Sequence, residues 1–312
     1  MRVAILGTVL LDTIERPDGQ AFNSLGGIAH SVAMLAALSA GEIRIQPVCR
    51  IGVDLWDSLV AAWEPLPGVE LSALIRDRRD NPRNRLDYGS GGGERRERLS
   101  GLLPPLSADE VTAAADADLV LVNCITGADC TLAAIEWLSH RTGRLYLDLH
   151  SLALGLAADG WGHYRRPTQW RKWIECADVV QCNRAEAATL AAQPPATAEP
   201  ERLLAFLERQ LAAGRRPPAS RLSVIALTLG AEGARLSWIE RRRIQRTRLA
   251  AAPITVVDPT GAGDAFGAGY CMAWLQGANV QEAGAVAVRS GTIACTFVGA
   301  PKPAELQRAL SR

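Results

Sequence analysis

Aromatic residues make up only 5% of this 312-residue chain, and its net charge at pH 7 is only +1. A charge so close to zero gives no basis for a nucleic acid or an anionic membrane as partner. No apolar run reaches the length of a membrane-spanning helix. The opening Met1-Arg-Val-Ala-Ile-Leu-Gly7 reads as a short buried strand rather than a secretion signal. The seven cysteines are scattered and odd in number, with no C-x-x-C pair. Zinc spacing and a disulfide framework are therefore not expected, and reduced, buried thiols of a cytoplasmic protein are. No glycine-rich stretch runs into G-K-[ST], so a Walker loop is not expected either. Internal repeats are absent. What remains, 312 residues at 48% apolar, suits one large α/β domain with room for a small appendage.

The most informative stretch lies near the end, Val256-Val-Asp-Pro-Thr-Gly-Ala-Gly-Asp-Ala-Phe-Gly267. The apolar run Ile254 to Val257 reads as the end of a buried strand, and Phe266, Tyr270, Ala273 and Trp274 keep helical spacing beyond the turn. Strand, glycine turn and helix together build an anion site. Glycines let the backbone approach a ligand, and the first N–H groups of the helix lack partners within it. A carboxylate at Asp264 would repel a bound phosphate unless it takes a proton from an incoming nucleophile. The arrangement points to phosphoryl transfer to a hydroxyl, with Asp264 as base and Gly261, Ala262, Gly263 and Asp264 as the hole for developing charge. Two other readings exist. A G-x-G turn also belongs to dinucleotide fingerprints, with Glu282 near the offset of a ribose-binding acid, and it can be structural only.

Asp258-Pro-Thr-Gly-Ala-Gly-Asp264 resembles the C-terminal signature of the ribokinase-like (PfkB) family of carbohydrate and nucleoside kinases. The remaining motifs fall in that family's order. Ser24-Leu-Gly26-Gly27 opens a small-residue helix, similar to the N-terminal signature, with Ser31 where the family commonly has Asn. His30 reads as an ordinary helix residue. Asp12 interrupts apolar residues just after the first strand. By itself it is an edge charge or a carboxylate that accepts bonds from a diol, and the resemblance implies the latter. Asn183-Arg-Ala-Glu186 follows an apolar strand and matches the N-x-x-E motif, implying nucleotide contact by Asn183 and a water-mediated Mg²⁺ contact by Glu186. Thr228-Leu-Gly230-Ala-Glu-Gly233 resembles the family's nucleotide-binding turn. Phe297 to Ala300 would close an adenine pocket and, with Asp258, face a monovalent cation such as K⁺.

The fold implied is α/β, a ribokinase-like three-layer sandwich with a mostly parallel central sheet flanked by helices, plus a small β lid. Alternating strands and helices from residue 118 independently predict parallel strands with right-handed crossovers. Asn123, Asp148 and His150 stand at strand carboxyl ends, where open α/β sheets bind ligands. Residues 1–312 read as one domain, with a lid formed by residues 10–24 and 70–100 and a mobile glycine tip at Gly89 to Gly93. Pairing of two copies through the lid is compatible with this reading.

The function expected is ATP-dependent, Mg²⁺-requiring phosphorylation of a hydroxymethyl group. Asp12, Gly26, Gly27 and Ser31 would hold the acceptor, a sugar or a nucleoside. Phe22 and Tyr88 are the only aromatics in the expected lid, too few for a stacked base, so a sugar is favoured. A non-catalytic sugar- or nucleotide-binding protein and a nicotinamide-dependent oxidoreductase are the readings from other classes.

Overall fold

The computed structural model describes residues 1–15, 19–87, 96–213 and 220–311. In chain order the strands are β1 (Arg2–Leu6), β2 (Val9–Glu15), β3 (Ala21–Gly27), β4 (Arg44–Ile51), β5 (Leu74–Arg76), β6 (Arg83–Asp87), β7 (Arg96–Ser100) and β8 (Leu119–Asn123). They continue with β9 (Leu145–Asp148), β10 (Leu154–Leu156), β11 (Gly162–Tyr164), β12 (Val179–Asn183), β13 (Val224–Thr228), β14 (Ala234–Glu240) and β15 (Arg243–Leu249). The helices are α1 (Ile28–Ser39), α2 (Trp56–Trp63), α3 (Leu132–Ser139), α4 (Trp170–Cys176), α5 (Arg184–Leu190), α6 (Pro200–Ala213), α7 (Ala262–Leu275), α8 (Val280–Ala294) and α9 (Pro303–Leu310).

The apolar strands assemble into one nine-stranded sheet, in the order β15-β14-β13-β12-β9-β8-β1-β4-β5. Pairings from β13 across to β5 are parallel, and β14 and β15 are added antiparallel at one edge. Both faces are covered, which is why the central strands read as unbroken apolar runs. Alternation divides each strand between two cores. Val3 and Ile5 face a core with α1, α7 and α8, whereas Ala4 and Leu6 face one with α3, α4, α5 and α6. Trp170 and Trp173 are buried in the second core, as their helical spacing predicts. The strand order reverses between β1 and β8, so the carboxyl ends of these two strands open a crevice.

A second, four-stranded sheet has the order β3-β2-β6-β7. Its composition explains its position: one face carries Leu10, Ile14, Leu86 and Leu99, all buried, while Arg83, Arg85, Arg96 and Arg98 occupy the exposed face. Two expectations need correction. Leu74–Arg76 is not part of this small sheet; it pairs with β4 at the edge of the large one. Ile254 to Val257 is not a strand. β15 is the sheet's last strand and ends at Leu249, so no ladder is offered to this run, and Ile254, Val256 and Val257 are 39–54% exposed. Its end is held instead by the N–H groups of Val257 and Asp258, which donate to Cys295 O. Tyr88 and the Gly89 to Gly93 tip lie outside the described residues. No helix among the described residues is long and apolar enough to cross a membrane.

Candidate active site

The turn into α7 is fixed from below. Asp258 is buried; its Oδ1 accepts from the Thr260 N–H (2.9 Å) and hydroxyl (2.7 Å), and its Oδ2 from the Gly299 N–H (3.0 Å). This carboxylate therefore staples the turn to the 297–300 loop. Gly261 caps the helix with φ 79°, and a Cβ there would stand 2.1 Å from His30 Nδ1, so only glycine fits between the turn and that imidazole. His30 is thus a wall of the turn. Of the amides expected to form the anion hole, that of Ala262 donates to Pro259 O at 3.2 Å. Gly263 and Asp264 follow in the first turn, where N–H groups point out of the helix.

Asp264 is 5% exposed on α7. Asn123, the last residue of β8, donates from Nδ2 to Asp264 Oδ1 at 2.5 Å. The same nitrogen lies 3.5 Å from Ser31 Oγ, and that hydroxyl donates to the Asp264 carbonyl at 3.3 Å. Ser31, on α1, is wholly buried and sits behind the carboxylate as part of its support. Sequence reasoning placed Ser31 against the acceptor; in the structure its short side chain reaches the α7 backbone. Asp264 Oδ2 makes no hydrogen bond among the described residues.

A second group comes from the ends of β9 and β12. Gln181 donates from Nε2 to Asp148 Oδ2 and to Gly263 O, each at 3.0 Å, and its Oε1 accepts from the Tyr146 hydroxyl at 2.6 Å. Gln181 ties two strands to the glycine turn, and sequence reasoning missed it; the signal was a lone amide inside the apolar run Val179 to Cys182. Burial pushes the Asp148 carboxyl well above the ordinary range, with the Glu186 and Asp264 charges adding and His150 opposing. His150 is half-buried at φ 33°. Burial works against its charged form, but Asp264, Asp148, Glu186 and Glu97 outweigh that, so its pKa lies above the usual histidine value.

Asn183 and Glu186 form a reciprocal cap on α5. Asn183 Oδ1 accepts from the Glu186 N–H (2.9 Å), and Glu186 accepts from the Asn183 N–H (2.8 Å) and Nδ2 (2.6 Å). The motif thus has a helix-capping role, while the 6% exposed Glu186 stays within electrostatic reach of Asp148 and His150. Among the described residues no group of three or more His, Cys, Asp or Glu is arranged to cage a metal. The hard oxygens of Asp148, Glu186 and Asp264 nevertheless suit a Mg²⁺ that keeps waters and phosphate oxygens as its other ligands. Thr228 lies beside Asn183 in the sheet register, and Gly230 (φ 58°) and Gly233 (φ 86°) turn the chain just past it.

Asp12 is 4% exposed on β2, in register with Ser24 on β3. Its carboxylate lies over Gly26, where a Cβ would stand 1.8 Å from Oδ2. Gly27 caps α1, whose Ile28 N–H donates to Thr8 O at 3.1 Å. Ser24 Oγ accepts from the Ala300 N–H at 3.0 Å, which docks the small sheet on the loop that Asp258 holds. A cleft of about 520 Å³ is lined by the small-sheet residues Leu11, Asp12, Thr13, Ser24 and Leu25 and by the α2 residue Ser58.

Residues 161–306 match the model of the pfkB family carbohydrate kinases. No curated protein matches the sequence. Among solved structures, a pyrophosphate-dependent kinase in the ribokinase family, in complex with sulfate, superposes with a TM-score of 0.78 at 15% identity, covering 98% of this chain and 99% of its own. Ribokinase from Thermotoga maritima gives 0.72 at 17% identity over 100% of both chains. Fructokinase from Xylella fastidiosa, with bound ATP, gives 0.72 at 19%, covering 99% and 98%. The chain thus matches the pfkB family carbohydrate kinase model over residues 161–306, and as a whole it has the ribokinase-like fold.

Proposed function

We propose that the protein transfers a phosphoryl group from ATP to a hydroxymethyl group of a small sugar-like acceptor. One observation carries the reading: a buried carboxylate, Asp264, stands in the first turn of a glycine-opened helix with one oxygen held by Asn123. Asn123 orients Asp264, and Oδ2 takes the proton of the acceptor hydroxyl as that oxygen bonds to phosphorus. The bond from phosphorus to the leaving oxygen breaks, and ADP departs with the electron pair. The remaining amides of the turn and the helix dipole face the charge on the transferring group. Glu186 and Asp148 would hold a Mg²⁺, which would supply neutralisation of phosphate charge. Asn183, Thr228, Gly230 and Gly233 would flank the nucleotide, and Asp12 the acceptor.

The test is a donor and acceptor screen. ATP and pyrophosphate are each offered with sugars, nucleosides and vitamin alcohols, and phosphorylated product is measured. ATP-dependent phosphorylation of a sugar is expected. Tight NADH binding with no phosphotransfer would instead favour an oxidoreductase, and ligand binding without turnover a binding protein.

A further inference from the structure

We propose that Asn84 is an acceptor-binding residue and that, with Asp12, it selects a polyol over a nucleoside. The proposal rests on the kinase reading only for what happens to the ligand after it binds. Its basis is the buried face of the small sheet. Along β2 that face presents Leu10, Asp12 and Ile14, and along β6 it presents Asn84 and Leu86. The register pairs Asp12 with Asn84, Ile14 with Leu86, and Asn84 with Leu99. A carboxylate and an amide therefore stand side by side in an otherwise apolar face. Such a placement is costly unless something satisfies the polar atoms.

Asn84 is only 5% exposed, and its Oδ1 is buried with no hydrogen-bond partner among the described residues. The same holds for Asn123 Oδ1, whose Nδ2 is committed to Asp264. The face points toward the proposed reaction site: its Ser24 and Ile14 pack against Gly299, whose N–H is held by Asp258 at the start of the glycine turn. Unmatched oxygens on Asn84 and Asn123, together with the Asp12 carboxylate, call for a ligand that brings several hydroxyl donors. A nucleobase offers few such donors and a flat apolar surface. Beside Asn84 on this face stand Asp12 and Leu99, neither of them an aromatic platform on which a base would stack.

The experiment measures polyol binding without donor, by titration calorimetry, and phosphorylation separately. The probes are D-ribose, D-fructose, myo-inositol and their monodeoxy analogues. The wild-type protein is expected to bind at least one of the three parent polyols and to bind one of its deoxy analogues at least tenfold more weakly. Asn84→Leu fits the aliphatic face, so its thermal midpoint should equal or exceed that of the wild type. Its polyol affinity should fall at least tenfold, its affinity for ATP should stay within twofold, and its preference over that deoxy analogue should vanish. If Asn84→Leu fails to fold, Asn84→Ser carries the same titration, with weakened polyol binding again expected. Unchanged polyol affinity in the folded variant would overturn the role of Asn84. Failure of the wild type to bind any of the three polyols would overturn the polyol assignment, even if a nucleoside were phosphorylated. Polyol binding that depends on Asn84, with no phosphorylation, would uphold this assignment and sink the kinase reading alone.

Discussion

In the proposed reaction Asp264 carries the chemistry, and its surroundings make a clean substitution available. Asn123 donates to Oδ1, so Asp264→Asn can keep that bond through its amide oxygen while losing the proton acceptor. Removal of a general base costs about 10²–10⁴-fold in rate. Turnover should fall by at least the lower end of that range. Nucleotide affinity should hold or rise slightly as a negative charge beside the phosphates disappears. Steady-state kinetics and nucleotide titration on the same variant separate the two. Near-wild-type turnover would remove Asp264 from the role of base. Loss of both turnover and nucleotide binding in a folded variant would make it an organiser of the phosphate site instead. Asp264 was readable from sequence because a carboxylate in a glycine turn has few uses. Asn123 was readable only as a polar strand end; its bond to Asp264 was not, since such a residue acquires a partner only when another element is placed against it.

The ends of β9 and β12 and the start of α5 act together on charge. Their legibility was uneven for a physical reason. Periodicity revealed the strands and helices, because both faces of the sheet are buried. It did not reveal Gln181, whose role is to join Asp148 to the carbonyl of Gly263. Periodicity also misread Ile254 to Val257, since an apolar run says nothing about whether a neighbouring strand exists to pair with it. A pH prediction belongs to this group. His150 faces Asp148 on β9, Glu186 on α5, Asp264 on α7 and Glu97 on β7, and its folded-state pKa lies above the unfolded value. Asp148 is raised as well, chiefly by burial. A raised group stabilises fully below its unfolded pKa, and that contribution is lost as pH climbs through the folded pKa. Both groups therefore have the same sign. Asp148 weakens the fold as pH rises above the ordinary carboxylate range, and His150 weakens it from about pH 6.5 upward. The thermal midpoint should fall between mildly acidic and mildly alkaline pH. His150→Gln should flatten the upper part of that slope. A slope above neutrality that is identical in wild type and variant would show that His150 does not gain its proton affinity from this group of carboxylates.

At the scale of the molecule, two sheets must meet for an acceptor to lie between Asp12 and Asp264. The described connection is short. Ser24 Oγ accepts from the Ala300 N–H, the adjacent Gly299 N–H donates to Asp258, and Asp258 holds Thr260 at the mouth of α7. The small sheet is thus fastened to the same turn that would face the phosphate, and among the described residues it bears no ladder to the nine-stranded sheet. That difference predicts unequal stability. The large sheet is sealed by two cores, whereas the small one joins only the first, through residues such as Val9, Leu10 and Leu99, and should open at lower free energy. Ser24→Ala removes one link worth about 0.5–1.5 kcal/mol. Amide exchange at Ala300 and along β2 and β3 should accelerate by roughly two- to tenfold, following that energy. Exchange in β1, β8 and β9 should be unchanged, since their protection comes from global unfolding. Acceptor affinity should fall with the docking, because Asp12 rides on the loosened sheet, while nucleotide affinity should not. Uniform acceleration across both sheets would mean that they unfold as one unit and that Ser24 contributes to general stability. No acceleration at all would mean that the small sheet is held by its apolar face alone, with Ile14 and Leu86 as the contacts to substitute next.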